Sequence, residues 1–129
     1  MIWYVALGGA IGSAMRLLLS SLIQQRSGLG FPLGTLTINV TGSLLLGFLL
    51  RYGVATPAIS PEVRGMLTVG FCGGYTTFST FSYEIAALLE DGAHGRAMTY
   101  ILASVTLSLA ATFMGFGMAR VMLDWRRVL

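Results

Sequence analysis

Four long apolar stretches dominate the chain, separated by short connectors in which glycine, proline and charge collect. The first covers about residues 2–23, the second about 33–52, the third about 63–89 and the fourth about 97–123. Each is far too long for a barrel strand, and each meets the roughly 20 mostly apolar residues that a helix needs to cross a bilayer. The connectors are Gln24-Gln25-Arg26-Ser27-Gly28, then Gly53 to Pro61 with two prolines, then Glu90-Asp91-Gly92-Ala93-His94-Gly95-Arg96. Such residues interrupt a helical pattern. The pattern predicts an all-α membrane protein of four transmembrane helices, a single domain over residues 1–129 with little chain outside the bilayer.

Composition strengthens this reading. Of 129 residues, 55% are hydrophobic and only 10% charged, where a soluble domain carries about a quarter charged residues. A soluble enzyme is excluded on that ground. All eight basic residues are arginines, balanced by five acids for a net charge of +3. The arginines are scattered and lie mostly near helix ends, which fits membrane flanks and not a nucleic-acid partner. Cys72 is alone, so no internal disulfide and no cysteine-histidine metal cluster is expected. No basic segment precedes the first apolar run, so that run is expected to stay as a span. Four spans put both termini on one side. That side holds Arg51, Arg64, Arg120, Arg126 and Arg127 against Arg26 and Arg96 opposite, a bias towards cytoplasmic termini.

Polar residues inside the spans carry the candidate chemistry. The third span contains Gly70-Phe71-Cys72-Gly73-Gly74-Tyr75-Thr76-Thr77-Phe78-Ser79-Thr80-Phe81-Ser82. One reading is a helix broken near its middle, with freed carbonyls suited to a cation and a half-helix N-terminus suited to an anion. The other is a continuous helix whose hydroxyls bond the preceding turn. Phe78 and Phe81 share a face if helical, and their ring edges are electropositive. Thr35, Asn39 and Ser43 form a stripe on the second span; Tyr100, Ser104, Ser108 and Thr112 form another on the fourth, with Thr106 between. Stripes of this kind serve as interhelix glue or as the lining of a path. Arg16 lies well away from the ends of the first span, whereas Glu84 lies nearer the end of the third. A hydroxyl- and amide-lined route with an arginine nearby favours a small anion; alternatively Arg16 snorkels or pairs with Glu84. Four close-packed helices leave no aqueous lumen, so a path must follow side-chain tracks or run between subunits, and a homodimer is the economical answer.

The ordered motifs Gly8-Gly9-Ala10-Ile11-Gly12-Ser13-Ala14-Met15-Arg16, Gly34-Thr35-Leu36-Thr37-Ile38-Asn39-Val40-Thr41-Gly42-Ser43 and Gly70 to Phe81 closely resemble those of the Fluc (CrcB) family of microbial fluoride channels. The likeness extends over nearly the whole chain. It implies a passive fluoride-selective channel in the cell (inner) membrane, not an enzyme, built as an antiparallel dual-topology homodimer with two fluoride pathways. It implies a structural sodium ion (Na+) at the dimer interface, held by the backbone carbonyls of Gly73 and Thr76. Phe78 and Phe81 would be the pore rings, with Asn39 donating to fluoride beside them. Ser79, Thr80, Ser104, Thr106 and Ser108 would form the polar track, with Tyr100 as its neighbouring ring and Arg16 in a vestibule. Two rivals are a small four-helix drug or cation exporter, which resembles the chain in composition but carries a glutamate in its first helix, and a non-conducting structural membrane subunit.

Overall fold

A computed structural model describes residues 1–128. Among these all regular structure is helical, with α1 at Ile2–Ser27, α2 at Leu33–Val54, α3 at Pro61–Gly65, a π-helical segment at Met66–Cys72, α4 at Gly73–Tyr75, α5 at Phe78–Glu90 and α6 at His94–Val128. The helices α1, α2 and α6 are long and apolar enough to cross a membrane. The third span is assembled from α3, the π segment, α4 and α5, and it is broken. The protein is therefore a multi-pass membrane protein.

Local signals set the boundaries. Helix α1 ends where Gly28 takes a left-handed conformation at φ 58°, which costs glycine no Cβ clash. Gln24 then ties the first connector: its Nε2 donates to the carbonyls of Leu29 and Phe31, and its Oε1 accepts from the amide of Gly34. Helix α3 starts at Pro61, and the Ser60 side chain accepts from the amide of Val63, a proline and cap arrangement that satisfies an otherwise orphaned donor.

Two glycine seams hold the bundle. Gly8 and Gly12 of α1 lie against the backbone of the third span, so close that a Cβ at Gly8 would strike the Met66 carbonyl and one at Gly12 the Phe71 carbonyl. The third span answers with its own pair. A Cβ at Gly70 would stand 2.6 Å from the Val5 carbonyl and one at Gly74 would stand 2.5 Å from the Gly9 carbonyl. The small-residue spacing thus serves backbone approach between helices, where dispersion and not water expulsion drives association. The second seam joins α2 to α6, with Gly47 against the Thr112 carbonyl and Gly115 against the Leu44 carbonyl.

The interruption of the third span falls on Thr76 and Thr77, which are extended at φ −90°, ψ 160° and φ −152°, ψ 119°. The paired glycines Gly73 and Gly74 stay helical. Gly70 and Gly74 are committed to the seam with α1, so the chain leaves the helix only after that contact is complete.

If the first seam sets the fold, Gly12→Ala destabilises the protein by about 1–3 kcal/mol through overpacking, whereas Gly117→Ala, where a Cβ meets open space, is neutral or slightly stabilising. Thermal melting of the two variants in detergent, followed by size-exclusion chromatography, checks this.

Candidate functional site

The site grows out of the break. Two extended residues inside a bilayer expose backbone groups that water cannot reach, and each needs a partner. Asn39 supplies both partners for Thr77. Its Nδ2 donates to the Thr77 carbonyl at 3.0 Å, and its Oδ1 accepts from the Thr77 amide at 2.8 Å. The primary amide matches the peptide group in shape and polarity, so one side chain replaces a lost helical repeat. Thr77 in turn caps α5: its Oγ1 accepts from the Thr80 amide at 3.2 Å and lies 3.2 Å from both the Ser79 and the Thr80 hydroxyls. Helix α5 therefore begins inside the bundle, with the positive end of its dipole and the first amides of Phe78 and Ser79 at the break.

An open groove of about 450 Å³ runs beside this N-terminus, lined by Asn39, Thr77, Phe78, Phe81, Ser104 and Ser108 among others, with no charged side chain in its wall. Phe78 is 79% exposed and Phe81 only 9%, and their ring centroids lie 5.6 Å apart. Ser104 is buried, and its hydroxyl has no hydrogen-bond partner. An orphaned hydroxyl at that depth is costly unless something else occupies the groove. Asn39 has one N–H left after binding Thr77, and it too belongs to this wall.

A second recess of about 550 Å³ opens on the other side of α5, lined by Ser20, Gln24, Thr35, Thr80, Glu84 and Asp91 among others. Glu84 is half-buried there. It accepts from the Thr35 hydroxyl at 2.7 Å and from the Tyr100 hydroxyl at 2.6 Å, two short O–H···O bonds. Tyr100 is fully buried and lies behind the groove. Its ring centroid is 5.1 Å from that of Phe81 and 5.5 Å from that of Phe31. The carboxylate thus anchors the ring that backs Phe81.

The structure brings Asn39, Phe78, Phe81, Ser104 and Ser108 into one groove, with Tyr100 behind it and Thr80 in the second recess. Ser79 is exposed beside the cap. Thr106 lies outside both cavities; it is exposed, and its hydroxyl donates to the Leu102 carbonyl of its own helix at 2.6 Å. Arg16 lines neither cavity. Its Nη1 donates to the Thr76 carbonyl at 3.4 Å, so the pairing of Arg16 with Glu84 is not made; Glu84 takes two hydroxyls instead. The apolar pattern sets Glu84 nearer the end of the third span, yet the structure turns it inward onto Thr35 and Tyr100. Its position four residues after Thr80 puts it on the Thr80 face of α5, and that spacing was the available signal.

The Gly73 and Thr76 carbonyls border the break. Because Asn39 takes the Thr77 amide, the Gly73 carbonyl four residues back loses its helical donor. Gly73 itself is exposed, with open space where a Cβ would stand. Removing Asn39 tests the whole arrangement. In Asn39→Ala the Thr77 amide and carbonyl are both orphaned, at about 1–3 kcal/mol each, and the melting temperature in detergent should fall well beyond that of a surface change such as Ser82→Ala.

Comparison of the sequence with known proteins places the chain in a family. The family model described as CrcB-like protein, Camphor Resistance (CrcB), matches residues 3–116. The chain is 44% identical over 115 residues to a fluoride-specific ion channel FluC of Aquifex aeolicus (strain VF5), covering 89% of this chain and 93% of that one. It is 48% identical over 118 residues to the protein of that name from Rhizobium meliloti (strain 1021), covering 92% and 94%. It is also 48% identical over 116 residues to that of Geobacter metallireducens, covering 90% and 94%. With a match over most of its length and relatives this similar, the chain belongs to the CrcB-like family.

Proposed function

We propose that this protein is a passive fluoride-selective channel that lets fluoride leave the cell down its electrochemical gradient and so lowers cytoplasmic fluoride. The observation that carries the reading is the uncharged groove at the N-terminus of α5, where Phe78, Phe81, the spare N–H of Asn39 and the partnerless hydroxyl of Ser104 meet. Relatives bearing the name fluoride-specific ion channel support it.

The chemistry follows from the donor set. Fluoride is small and holds its water tightly, so a route through lipid must replace that shell with fixed donors. Hydroxyls, an amide and the first amides of a helix donate without carrying charge that would trap the ion. Phenyl edges add weak positive potential where the groove narrows. A larger halide would gain less from each donor. No step makes or breaks a covalent bond, so the protein acts as a conduit and not as an enzyme.

The path is completed by a second copy in an antiparallel dual-topology homodimer of the inner membrane, with two pathways per dimer. Both cavities are open on one side, and Gly73 presents its backbone outward, which suits a partner's surface. Antiparallel pairing would also spread the basic end of each chain over both leaflets. Arg16, whose Nη1 donates to the Thr76 carbonyl, would stand at the edge of a vestibule formed by the second copy and draw anions with its remaining N–H groups. The Gly73 carbonyl, and the Thr76 carbonyl through the lone pair that Arg16 leaves free, are hard oxygen donors, a set that suits a small alkali cation, and two from each copy would hold a structural Na+ between the chains. Such an ion would supply positive charge and tie the copies together at the break.

The aromatic path is tested by fluoride efflux from NaF-loaded liposomes. Phe78→Ile and Phe81→Ile are each expected to slow efflux about tenfold, the loss of roughly one aromatic contact, with chloride efflux at the protein-free level throughout; unaltered fluoride flux in both variants would remove the rings from the path. For the cation, replacing all sodium by N-methylglucamine should lower the melting temperature and the dimer fraction in detergent. Unchanged values would exclude a structural Na+.

A further inference from the structure

Five arginines gather at one end of the molecule. Among the described residues, Arg51, Arg64, Arg120, Arg126 and Arg127 share that end with the side-chain carboxyls of Glu62 and Asp124, while the opposite end has Arg26 and Arg96 beside Glu90 and Asp91. At the basic end the last turns of α2 and α6 run side by side in the same direction. Gly47 meets Thr112, a Cβ at Gly115 would stand 2.7 Å from the amide of Phe48, Arg51 lies over the Phe116 ring at 5.5 Å and Arg126 over the Tyr52 ring at 5.7 Å. The 22 residues of α2 rise about 33 Å, close to the roughly 30 Å hydrocarbon core, whereas the 35 residues of α6 rise about 52 Å. Arg51 therefore stands where α2 leaves the hydrocarbon, and the turns carrying Trp125, Arg126 and Arg127 project into the headgroup layer. Trp125 is 75% exposed, and it closes an apolar groove of about 700 Å³ along Met114, Gly117, Met118, Val121 and Met122. Tryptophan at such a junction marks the membrane interface.

We propose that this end of α2 and α6 binds the headgroups of anionic phospholipids, with Arg51 and Arg126 as the phosphate ligands and the groove below Trp125 as the bed for an acyl chain. Each of the two guanidinium groups is braced on an aromatic ring, which fixes its plane while its N–H edge stays available for a phosphate. Neither has a carboxylate partner among the described residues; the one ion pair there is Arg127 with Asp124 at 4.0 Å. Arg64 does not contribute, because its stem packs on Gly53 and its Nη2 donates to the Ile59 carbonyl. The position of the cluster, level with the headgroups and above an apolar groove, selects the leaflet's own lipids over a soluble polyanion. The proposal does not depend on what the channel conducts.

The chain has two tryptophans, so Trp3→Phe leaves Trp125 as the single reporter. That protein is reconstituted into vesicles of phosphatidylcholine with a minor fraction of phosphatidylglycerol, with brominated acyl chains carried by one lipid or the other at equal total bromine. Bromine on phosphatidylglycerol should quench Trp125 more strongly, reflecting an enrichment of about fivefold for each arginine engaged. Adding Arg51→Gln and Arg126→Gln should abolish the preference, while Arg96→Gln at the opposite end should leave it intact. Equal quenching by the two lipids in the protein with its arginines unchanged would overturn the proposal, as would a preference that survives the double substitution.

Discussion

The exchange of two hydrogen bonds between the Asn39 side chain and the Thr77 peptide is the interaction on which the rest of the structure depends. A bilayer offers no water to a peptide group that leaves a helix, so an interrupted span survives only where protein replaces the missing partners. Asn39 does this with a single amide. The consequence extends well beyond one residue. With Thr77 held in an extended conformation, its hydroxyl is free to cap α5, and a new helix starts within the bundle and not at its edge. That start brings amide donors, Phe78 and Phe81 to the same groove as Ser104 and Ser108. The lipid-spanning scaffold and the candidate ion path therefore share one device, and a change at Asn39 cannot alter one without the other.

The glycine seams explain why the break can be held so closely. The contact of Gly8 and Gly12 with Gly70 and Gly74 puts α1 at backbone distance from the third span immediately before the interruption. The same contact lets the Ser13 hydroxyl reach the Gly74 carbonyl at 3.5 Å and Arg16 reach the Thr76 carbonyl. The π-helical segment at Met66–Cys72 belongs to this fit. A wider turn shifts the register of everything after it by part of a turn, and Thr68, Gly70 and Cys72 are all buried within it.

Charge is distributed by the same economy. Within the spans Glu84 is held by two hydroxyls, from Thr35 and Tyr100, and it stabilises the ring packed behind Phe81. Arg16 is turned onto a carbonyl at the break. The remaining arginines lie towards the helix ends, where two of them rest on aromatic rings. An intramembrane charge is tolerated where hydrogen bonds replace hydration, and both Arg16 and Glu84 meet that condition in different ways.

Much of this was legible in the chain itself. The apolar runs dictated helices of membrane length, the glycine spacing at Gly8, Gly12, Gly70 and Gly74 announced a close seam, and the motif from Gly70 to Phe81 with Asn39 marked both the family and the neighbourhood of the site. These are local properties: helix length, small-residue spacing and polarity are written residue by residue. Where the helix stops was not local. Thr76 and Thr77 leave it instead of Gly73 and Gly74 because Gly74 is needed against α1 and because Asn39, thirty-eight positions away, is placed to receive Thr77. The choice of partner for Glu84 was likewise decided by how α2, α5 and α6 rotate on one another, whereas the exclusion of Thr106 follows from its spacing, since a residue two positions from Ser104 and from Ser108 points away from the face they share. Rotation about a helix axis depends on every contact along the seam at once, and only the packed structure sums them.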